Sequence, residues 1–220
     1  MHIMVREIGK NNSLFNQFLS ELRDKDKQVC SLRFRRNLER VGEIFAYEIS
    51  KELEYEQKEI IASLGGASMN VLVHRPVLAT ILRAGLPMHQ GLLNYFDSSD
   101  SAFVSAYRKY RKNKEFVIKM DYMSSSSLID KVLIVSDPML ATGGSMCASI
   151  KALMGNGKPK HIHIVCLLAS EEGLAMIKRT FSLENITIWI GAIDDELTAK
   201  AYIVPGLGDA GDLAFGTKLD

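Results

Sequence analysis

The chain has 220 residues, 47% of them apolar and 24% charged, and 27 Lys and Arg against 26 Asp and Glu leave a net charge of +1. This length suits a single domain over residues 1–220, and the nearly balanced charge excludes an overall electrostatic preference for nucleic acid or membranes. The three cysteines, Cys30, Cys147 and Cys166, are too few and too widely spaced for a disulfide framework or a cysteine metal motif.

The sequence also indicates a compartment. The first residues, MHIMVREIGKNNSLF, lack the apolar core of a signal peptide, and no apolar run approaches the length of a membrane span. Unpaired cysteines favour a reducing setting. We therefore predict a cytoplasmic protein with no membrane partner.

Apolar periodicity predicts helices and strands that alternate along the chain. The first element is a long amphipathic helix over residues 31–55. The elements that follow are strands at 77–82, 101–107 and 131–137, a helix at 145–154, a strand at 161–170, a helix at 171–181 and a strand at 186–194. The predicted fold class is therefore α/β and Rossmann-like, with a central, mainly parallel sheet flanked by helices.

Ligands of such sheets bind beyond the carboxyl ends of the strands. The turns after three predicted strands begin with Arg83, Arg108 and Asp137. We expect these three side chains at one edge of the sheet.

The segment 107–127 interrupts the alternation. Between Tyr107 and Lys119 it carries six Lys or Arg residues and one acid, and it then becomes serine-rich. Three interpretations remain open: a solvated hairpin or loop, a mobile arm over an anionic substrate, and, least favoured, a nucleic-acid patch.

The stretch IVSDPMLATGGSM, residues 134–146, joins a strand to a helix through small residues. Main-chain N–H groups of such a loop can converge on an anion, and the helix N-terminus adds a partial positive charge. Asp137 is placed to reach hydroxyl groups of the same ligand, as a sugar phosphate would present them. An ordinary tight turn with a capping serine is the alternative.

Four stretches resemble the uracil phosphoribosyltransferases. DPMLATGGS (137–145) is similar to the ribose-phosphate signature, ILRAGLPM (81–88) to an arginine-containing loop, and RFRRNLERVGEIFAYE (33–48) to an amino-terminal helix. YIVPGLGDAGDLAFGTK (202–218) resembles the uracil-binding segment, within a base-binding region at about 201–218. The resemblance implies the phosphoribosyltransferase fold with an extended arm. It also implies transfer of phosphoribosyl from 5-phospho-α-D-ribose 1-diphosphate (PRPP) to uracil, giving UMP and diphosphate in pyrimidine salvage.

The resemblance also implies roles for particular residues. Arg83 and Arg108 would contact the diphosphate and Asp137 the ribose hydroxyls, and these three form the predicted catalytic set. The PRPP site would comprise Arg83, Arg108, Asp137, Pro138, Met139, Leu140, Ala141, Thr142, Gly143, Gly144, Ser145 and Asp209. The uracil site would comprise Ile203, Gly208, Asp209 and Ala210.

The implied cofactor is Mg²⁺, bound mainly through PRPP and water, so no protein residue is named as its ligand. The implied partners are uracil, PRPP and further copies of the chain in a homodimer or higher homo-oligomer, with GTP as an effector. We expect no nucleic-acid partner.

Some residues depart from the family pattern. The arm is basic where the family is acidic, Pro87 stands for a glycine and Gln90 for an acid, and Ser136 suggests an insertion or a register change. These departures leave two other functions open: transfer to another pyrimidine-like base, and a PRPP- or nucleotide-binding regulator, RNA-binding or not, with little catalysis.

Further candidates for chemistry are weaker. His161 and His163 share one face of a strand, where surface or core-edge positions are favoured over a metal pair, and Trp189 is predicted to lie in the core.

Overall fold

The computed structural model describes residues 3–110, 116–182 and 184–218, with the main chain alone described at 107–110 and 116–119. Six α-helices lie within these residues. They are α1 (Leu14–Arg23), α2 (Ser31–Ser50), α3 (Leu86–Leu93), α4 (Gly144–Leu153), α5 (Glu171–Thr180) and α6 (Ala210–Phe215). Two short 3-10 helices occupy Ile8–Lys10 and Met154–Asn156.

Twelve strands are formed by the same part of the chain. They are β1 (Ile3–Glu7), β2 (Tyr55–Ala62), β3 (Gly65–Leu72), β4 (Val77–Leu82), β5 (Ser101–Tyr110), β6 (Phe116–Ser124), β7 (Val132–Ser136), β8 (Met139–Leu140), β9 (His161–Ser170), β10 (Ile186–Asp194), β11 (Glu196–Leu197) and β12 (Ile203–Val204).

Eight strands build the central sheet, in the order β1-β10-β9-β7-β4-β5-β6, with β8 beside β9. All its pairings are parallel except that of β5 with β6. Strand β9 is buried from Ile162 to Ser170, as expected for a parallel strand covered on both faces. The predicted fold class is confirmed.

Alternate side chains of each central strand face two different cores. Leu78 and Ile134 pack with α1, α2 and α3 on one face, whereas Ala79 and Val135 pack with α4 and α5 on the other. The two-residue period of a strand therefore supplies both hydrophobic layers from one apolar run.

Two predicted boundaries are wrong by three or more residues. The long helix ends at Ser50 rather than at residue 55, because the chain turns there and the Glu54 carbonyl accepts a hydrogen bond from the Val73 N–H (2.9 Å) beside the β2–β3 hairpin. Strand β5 runs to Tyr110 rather than to residue 107, because β6 pairs with it beyond the last pairing of β5 with β4, at Leu82 and Ser105.

This continuation bears on the basic arm predicted at 107–127. Tyr110 pairs with Phe116, so the main chain on the two sides of 111–115 forms an antiparallel ribbon. The pairing agrees with the hairpin interpretation. Residues 111–115 and the side chains of 107–119 lie outside the described part, so the pairing does not test the other two interpretations.

Trp189 lies in the core as predicted, with 3% of its surface exposed. Its indole Nε1 donates to Nδ1 of the buried His163 at 3.0 Å. Burial lowers the pKa of His163 to about 3, with smaller contributions from the neighbouring His161 and Arg6. His161 Nε2 lies 3.0 Å from Thr187 Oγ1, so both histidines of β9 contact side chains of the neighbouring strand β10.

No helix in the described part of the chain is both long and apolar enough to cross a membrane.

Candidate active site

Strands β4 and β7 are neighbours and end together. The Thr80 hydroxyl donates to the Ser136 carbonyl and the Ser136 hydroxyl donates to the Ala79 carbonyl, both at 3.2 Å. Gly85, just after β4, packs closely against Thr80, since a Cβ at Gly85 would lie 2.1 Å from Thr80 Oγ1. The loop containing Arg83 is therefore packed directly against the end of β7.

Ser136 causes no register change. It is fully buried and pairs with Thr80 on one side and Val165 on the other, as the last residue of a regular strand. The register-change interpretation is wrong for this sheet, whereas an insertion relative to the family pattern stays a prediction. The buried Ser136 hydroxyl is satisfied by its bond to the Ala79 carbonyl.

Asp137 follows β7 at the carboxyl edge of the sheet, as predicted. Its N–H donates to the Val165 carbonyl (3.1 Å), and its Oδ1 accepts from the Met139 N–H (3.2 Å). These bonds fix the carboxylate between β7 and β8, where it is half-buried. Pro138, Met139 and Leu140 then lead the chain along β9, with Leu140 beside Ala169.

The loop of Ala141, Thr142 and Gly143 turns the chain into α4. Gly143 adopts φ 78°, and a Cβ there would lie 2.9 Å from the Gly173 carbonyl oxygen. Both the left-handed backbone and the close contact therefore require glycine. No side chain caps the start of α4, so the N–H groups of its first turn, from Gly144 and Ser145 onward, can receive an anion.

The start of α5 holds this loop from behind. A Cβ at Gly173 would lie 2.4 Å from the Ala141 carbonyl oxygen. The Ser170 hydroxyl donates to that same carbonyl and accepts from the Gly173 N–H (2.9 Å). Two consecutive connections of the sheet are thus packed main chain to main chain.

The segment that is predicted to bind the base, residues 201–218 (the base-binding segment), begins at a turn that is tied to the sheet. Arg23 of α1 donates through Nη1 and Nη2 to the two carboxylate oxygens of Asp194, at 2.8 and 2.7 Å. Asp194 also accepts from the Gly206 N–H at 3.0 Å. Burial opposes ionisation of Asp194, but the bonds from Arg23 and Gly206 outweigh it and keep the pKa below its usual value.

The predicted uracil-site residues lie in or beside this turn. Ile203 and Ala210 are buried, at 4% and 3% exposure. Gly206 and Gly208 have φ angles of 56° and 91°, and a Cβ at Gly206 would lie 2.1 Å from the Ile203 carbonyl oxygen. The positive φ at both positions, and the close approach at Gly206, therefore favour glycine in this turn.

Asp209 caps α6 and accepts from the Asp212 N–H at 3.0 Å. Lys218 reaches back to its other oxygen at 3.3 Å. Burial raises the pKa of Asp209, yet the Asp212 N–H and the charge of Lys218 outweigh it, so the pKa lies below the usual value. The carboxylate is therefore ionised at neutral pH.

Arg83 joins the sheet edge to the base-binding segment. Its Nη2 donates to Asp212 Oδ1 at 2.9 Å, and its Nη1 donates to the Gly216 carbonyl at 3.3 Å. A Cβ at Gly211 would lie 3.6 Å from Arg83 Nη2 and 3.2 Å from Asp209 Oδ1. Arg83 and Asp209, predicted for the same substrate, therefore lie side by side.

Arg108 lies in β5, opposite Ile118 of β6. The prediction that its side chain contacts the diphosphate falls outside the described residues.

The departures Pro87 and Gln90 lie in α3, on a groove of about 300 Å³ that Arg35 and Phe215 also line. Pro87 sits in the first turn of the helix, where the missing N–H costs little.

Three residues that hold the segment were missed from the sequence. They are Arg23, Asp194 and Arg35, whose Nη1 donates to the Ala214 carbonyl at 2.6 Å. Asp194 carries a usable signal, since it ends a strongly apolar strand as Asp137 nearly does. Arg23 and Arg35 carry no such signal in the sequence, because their partners lie 171 and 179 residues away.

A larger cavity, of about 690 Å³, lies elsewhere, between β1, the start of α1 and α2. Of the predicted site residues whose side chains the structure describes, none lines it.

Comparisons with known proteins bear on the family of the chain. The family model described as uracil phosphoribosyltransferase matches residues 10–217. A uracil phosphoribosyltransferase of Porphyromonas gingivalis is 53% identical over 215 residues, which cover 98% of this chain and 99% of that protein. One of Thermococcus gammatolerans is 37% identical over 92% of this chain and 89% of its own length.

A solved structure shares the whole fold. The AQ2163 protein from Aquifex aeolicus superposes with a TM-score of 0.87 at 28% identity, covering 99% of this chain and 100% of its own. The family match and the relatives together lead to one conclusion: the chain belongs to the uracil phosphoribosyltransferase family.

Proposed function

We propose that this chain, as one catalytic domain, transfers the phosphoribosyl group of PRPP to uracil, giving UMP and diphosphate in pyrimidine salvage. The observation that carries the proposal is the contact of Arg83, at the sheet edge, with Asp212 of the base-binding segment. This contact supports a sugar-phosphate site and a base site that face one another across the bond to be made.

The 5-phosphate would bind the loop of Ala141, Thr142, Gly143, Gly144 and Ser145. The uncapped start of α4 supports this assignment, because it offers main-chain N–H groups and a partial positive charge to an anion.

The ribose would lie beside the end of β7. Asp137 would accept hydrogen bonds from the ribose hydroxyls, and Pro138, Met139 and Leu140 would position the main chain beneath them. The half-buried carboxylate of Asp137, already bonded to the Met139 N–H, supports this role because little further ordering is needed on binding.

Arg83 and Arg108 would bind the diphosphate. A guanidinium offers several N–H donors in a fixed plane, which suits a group with many anionic oxygens. In the reaction the bond from ribose C1 to diphosphate breaks, the bond from C1 to uracil N1 forms, and the N1 proton is lost. The arginines would stabilise the negative charge that develops on the leaving group.

Uracil would be read by main-chain groups of Ile203, Gly208 and Ala210, with Asp209 on the side of the phosphoribosyl group. The positive φ of Gly208 and the burial of its neighbours support a rigid pocket for a small, flat base. Such a pocket would select uracil by its polar edge.

Mg²⁺ fits this arrangement as a substrate-borne ion. Two carboxylates could serve it: Asp137 follows the end of β7, and the ionised Asp209 caps α6. These carboxylates would hold the ion mainly through its water and PRPP oxygens, and the bound ion would neutralise charge on the diphosphate.

Release of diphosphate from PRPP with Mg²⁺ tests the function. We expect release with uracil, but not with cytosine, hypoxanthine or no base, and its loss in Asp137→Asn and Arg108→Ala. Binding of PRPP without release on any base would contradict the proposal and favour a regulator on the same scaffold.

We also propose a homodimer or higher homo-oligomer. The β2–β3 hairpin pairs with no other strand of the described residues, and Ile61 and Leu64 near its tip are 99% and 100% exposed. The two strands of the hairpin pair with each other, but nothing in the described residues covers the apolar side chains at its tip. Such an exposed apolar tip favours contact with a second copy of the chain. A monomeric mass in solution would contradict this, and Ile61→Lys with Leu64→Lys should lower the mass of an assembly.

A cytoplasmic location and activation by GTP complete the proposal. Among the described cysteines none is paired, which suits a reducing compartment. Titration with GTP should increase turnover with uracil and should have no effect in controls without uracil. This result would support GTP as an effector.

A further inference from the structure

We propose that Asp212 is a positioning residue for the diphosphate side of the reaction, although it lies in the base-binding segment. It would act through Arg83, so the inference rests on the proposed role of Arg83 at the diphosphate.

Asp212 is well held by its own main chain. Its N–H donates to Asp209 Oδ1 at 3.0 Å, and its carbonyl accepts from the Gly216 N–H at 2.8 Å. Both ends of the residue are therefore fixed before its side chain meets Arg83.

Arg83 is held at two points of one short helix. Nη2 bonds to the Asp212 carboxylate in the first turn of α6, and Nη1 bonds to the Gly216 carbonyl just past its end. An arginine side chain otherwise loses much rotational freedom on binding a ligand. Anchoring in the free protein removes part of that cost, which is the usual benefit of preorganisation.

The same carboxylate could instead compete with diphosphate for the guanidinium. The geometry argues against competition as the dominant effect. The side chains of Arg83 and Asp212 are 41% and 26% exposed, so water screens the attraction between them. The guanidinium also has five N–H donors, and the bonds to Asp212 and Gly216 leave others for an anion.

The location of Asp212 makes the inference separable from a merely structural role. A residue that only shaped the base-binding segment would change the KM for uracil. A residue that orients Arg83 would change the KM for PRPP and the affinity for inorganic diphosphate.

Asp212→Asn keeps the size of the side chain and removes its charge. We expect about a fivefold rise in the KM for PRPP and in the Kd of inorganic diphosphate, the upper range for a partly exposed ion pair, with the KM for uracil changed less than twofold. Asp100→Asn is the matched control, because it removes a comparable exposed pair with Lys131 (3.0 Å) ahead of β5 and should leave all three constants unchanged.

A double-variant cycle identifies the route. On the background of Arg83→Lys, Asp212→Asn should add little to the Kd of diphosphate, because both act through one guanidinium. Full additivity, tighter diphosphate binding, or a change confined to the KM for uracil would each overturn the inference. Thermal midpoints of all variants show whether folding is intact.

The same series separates the inference from the proposed function. If Arg83→Lys weakens diphosphate binding and Asp212→Asn does not, only the role of Asp212 fails. If Arg83→Lys also has no effect, the assignment of Arg83 to the diphosphate fails, and the inference falls with it.

Discussion

The two halves of the candidate site are held in place by different means. The loop at 137–145 is fixed by main-chain contacts with the strands and the helix beside it, such as those of Asp137 with Val165 and of Ala141 with Gly173. The base-binding segment is fixed by side chains that reach it from distant parts of the chain, above all Arg23 and Arg83.

This difference has an energetic meaning. Main-chain packing around glycine tolerates almost no added volume, so a substitution there moves the backbone itself. A side-chain anchor can be removed while the backbone it held keeps its own hydrogen bonds. The loop should therefore fail abruptly on substitution, whereas the segment should loosen by degrees and lose affinity for one substrate at a time.

The largest effect is expected at Gly143. Gly143→Ala forces a side chain into left-handed backbone, 2.9 Å from the Gly173 carbonyl oxygen and 3.0 Å from Met176 Cβ. We expect kcat/KM for PRPP to fall by about a hundredfold, because small displacements of binding groups cost that much. The stability loss should be about 1–3 kcal/mol.

Gly155→Ala is the control for that change. A Cβ there meets no heavy atom within 4 Å, and its φ is not in the left-handed region. Both variants can be compared by steady-state kinetics and thermal unfolding. If Gly143→Ala and Gly155→Ala behaved alike, the contrast between loop and segment would be contradicted.

A smaller and more selective effect is expected at Asp194. Asp194→Asn breaks the two-point bond to Arg23 and weakens the acceptor of the Gly206 N–H. We expect the KM for uracil to rise about tenfold, the usual size of a charge-assisted bond, with the KM for PRPP nearly unchanged.

Asp24→Asn removes an exposed pair with Lys27 at 3.4 Å and should change neither constant. Equal changes in both KM values for Asp194→Asn would show that loop and segment are not independent.

The smallest effect on activity is expected from His163, which touches neither half. Its pKa is about 3 in the folded chain and near 6.5 when unfolded, so the unfolded state takes up the proton first as the pH falls. Stability should be unaffected above about pH 6.5 and fall by about 1.4 kcal/mol per pH unit below it, down to about pH 3.

His163→Gln, which keeps an acceptor for the indole of Trp189, should flatten this dependence in denaturant titrations between pH 4 and 7. His74→Gln, at a position for which no such burial occurs, should not. Loss of uracil affinity in His163→Gln at neutral pH would contradict the separation of core and site.

The contrast between the two halves also explains what the sequence could predict. The strand before Asp137, the small residues up to Ser145 and the helix after them are neighbours in the chain, so their pattern contains the geometry of the loop. The anchors of the base-binding segment are not neighbours: Arg23 and Asp194 are 171 residues apart, and Arg83 and Asp212 are 129 apart. No periodicity connects such pairs.

The β2–β3 hairpin was missed for another reason. Strand β2 is exposed along its whole length, so it lacks the alternation of apolar and polar residues that a half-buried strand shows. The sequence pattern predicts no element at the start of the chain, where β1 and α1 form, although α1 has a capping box at Ser13 and Asn16.

The position of β1 has a consequence for how the protein folds. Ile3 pairs with Ile186 and Glu7 with Ile190, so this edge of the sheet closes only when segments from far apart in the chain meet. Contacts of such long sequence separation form slowly, and until then β10 presents an open edge to other chains. The polypeptide that closes the edge continues directly into α1, whose last residue is Arg23. Completion of the sheet and anchoring of the turn at Gly206 should therefore be one late step of folding.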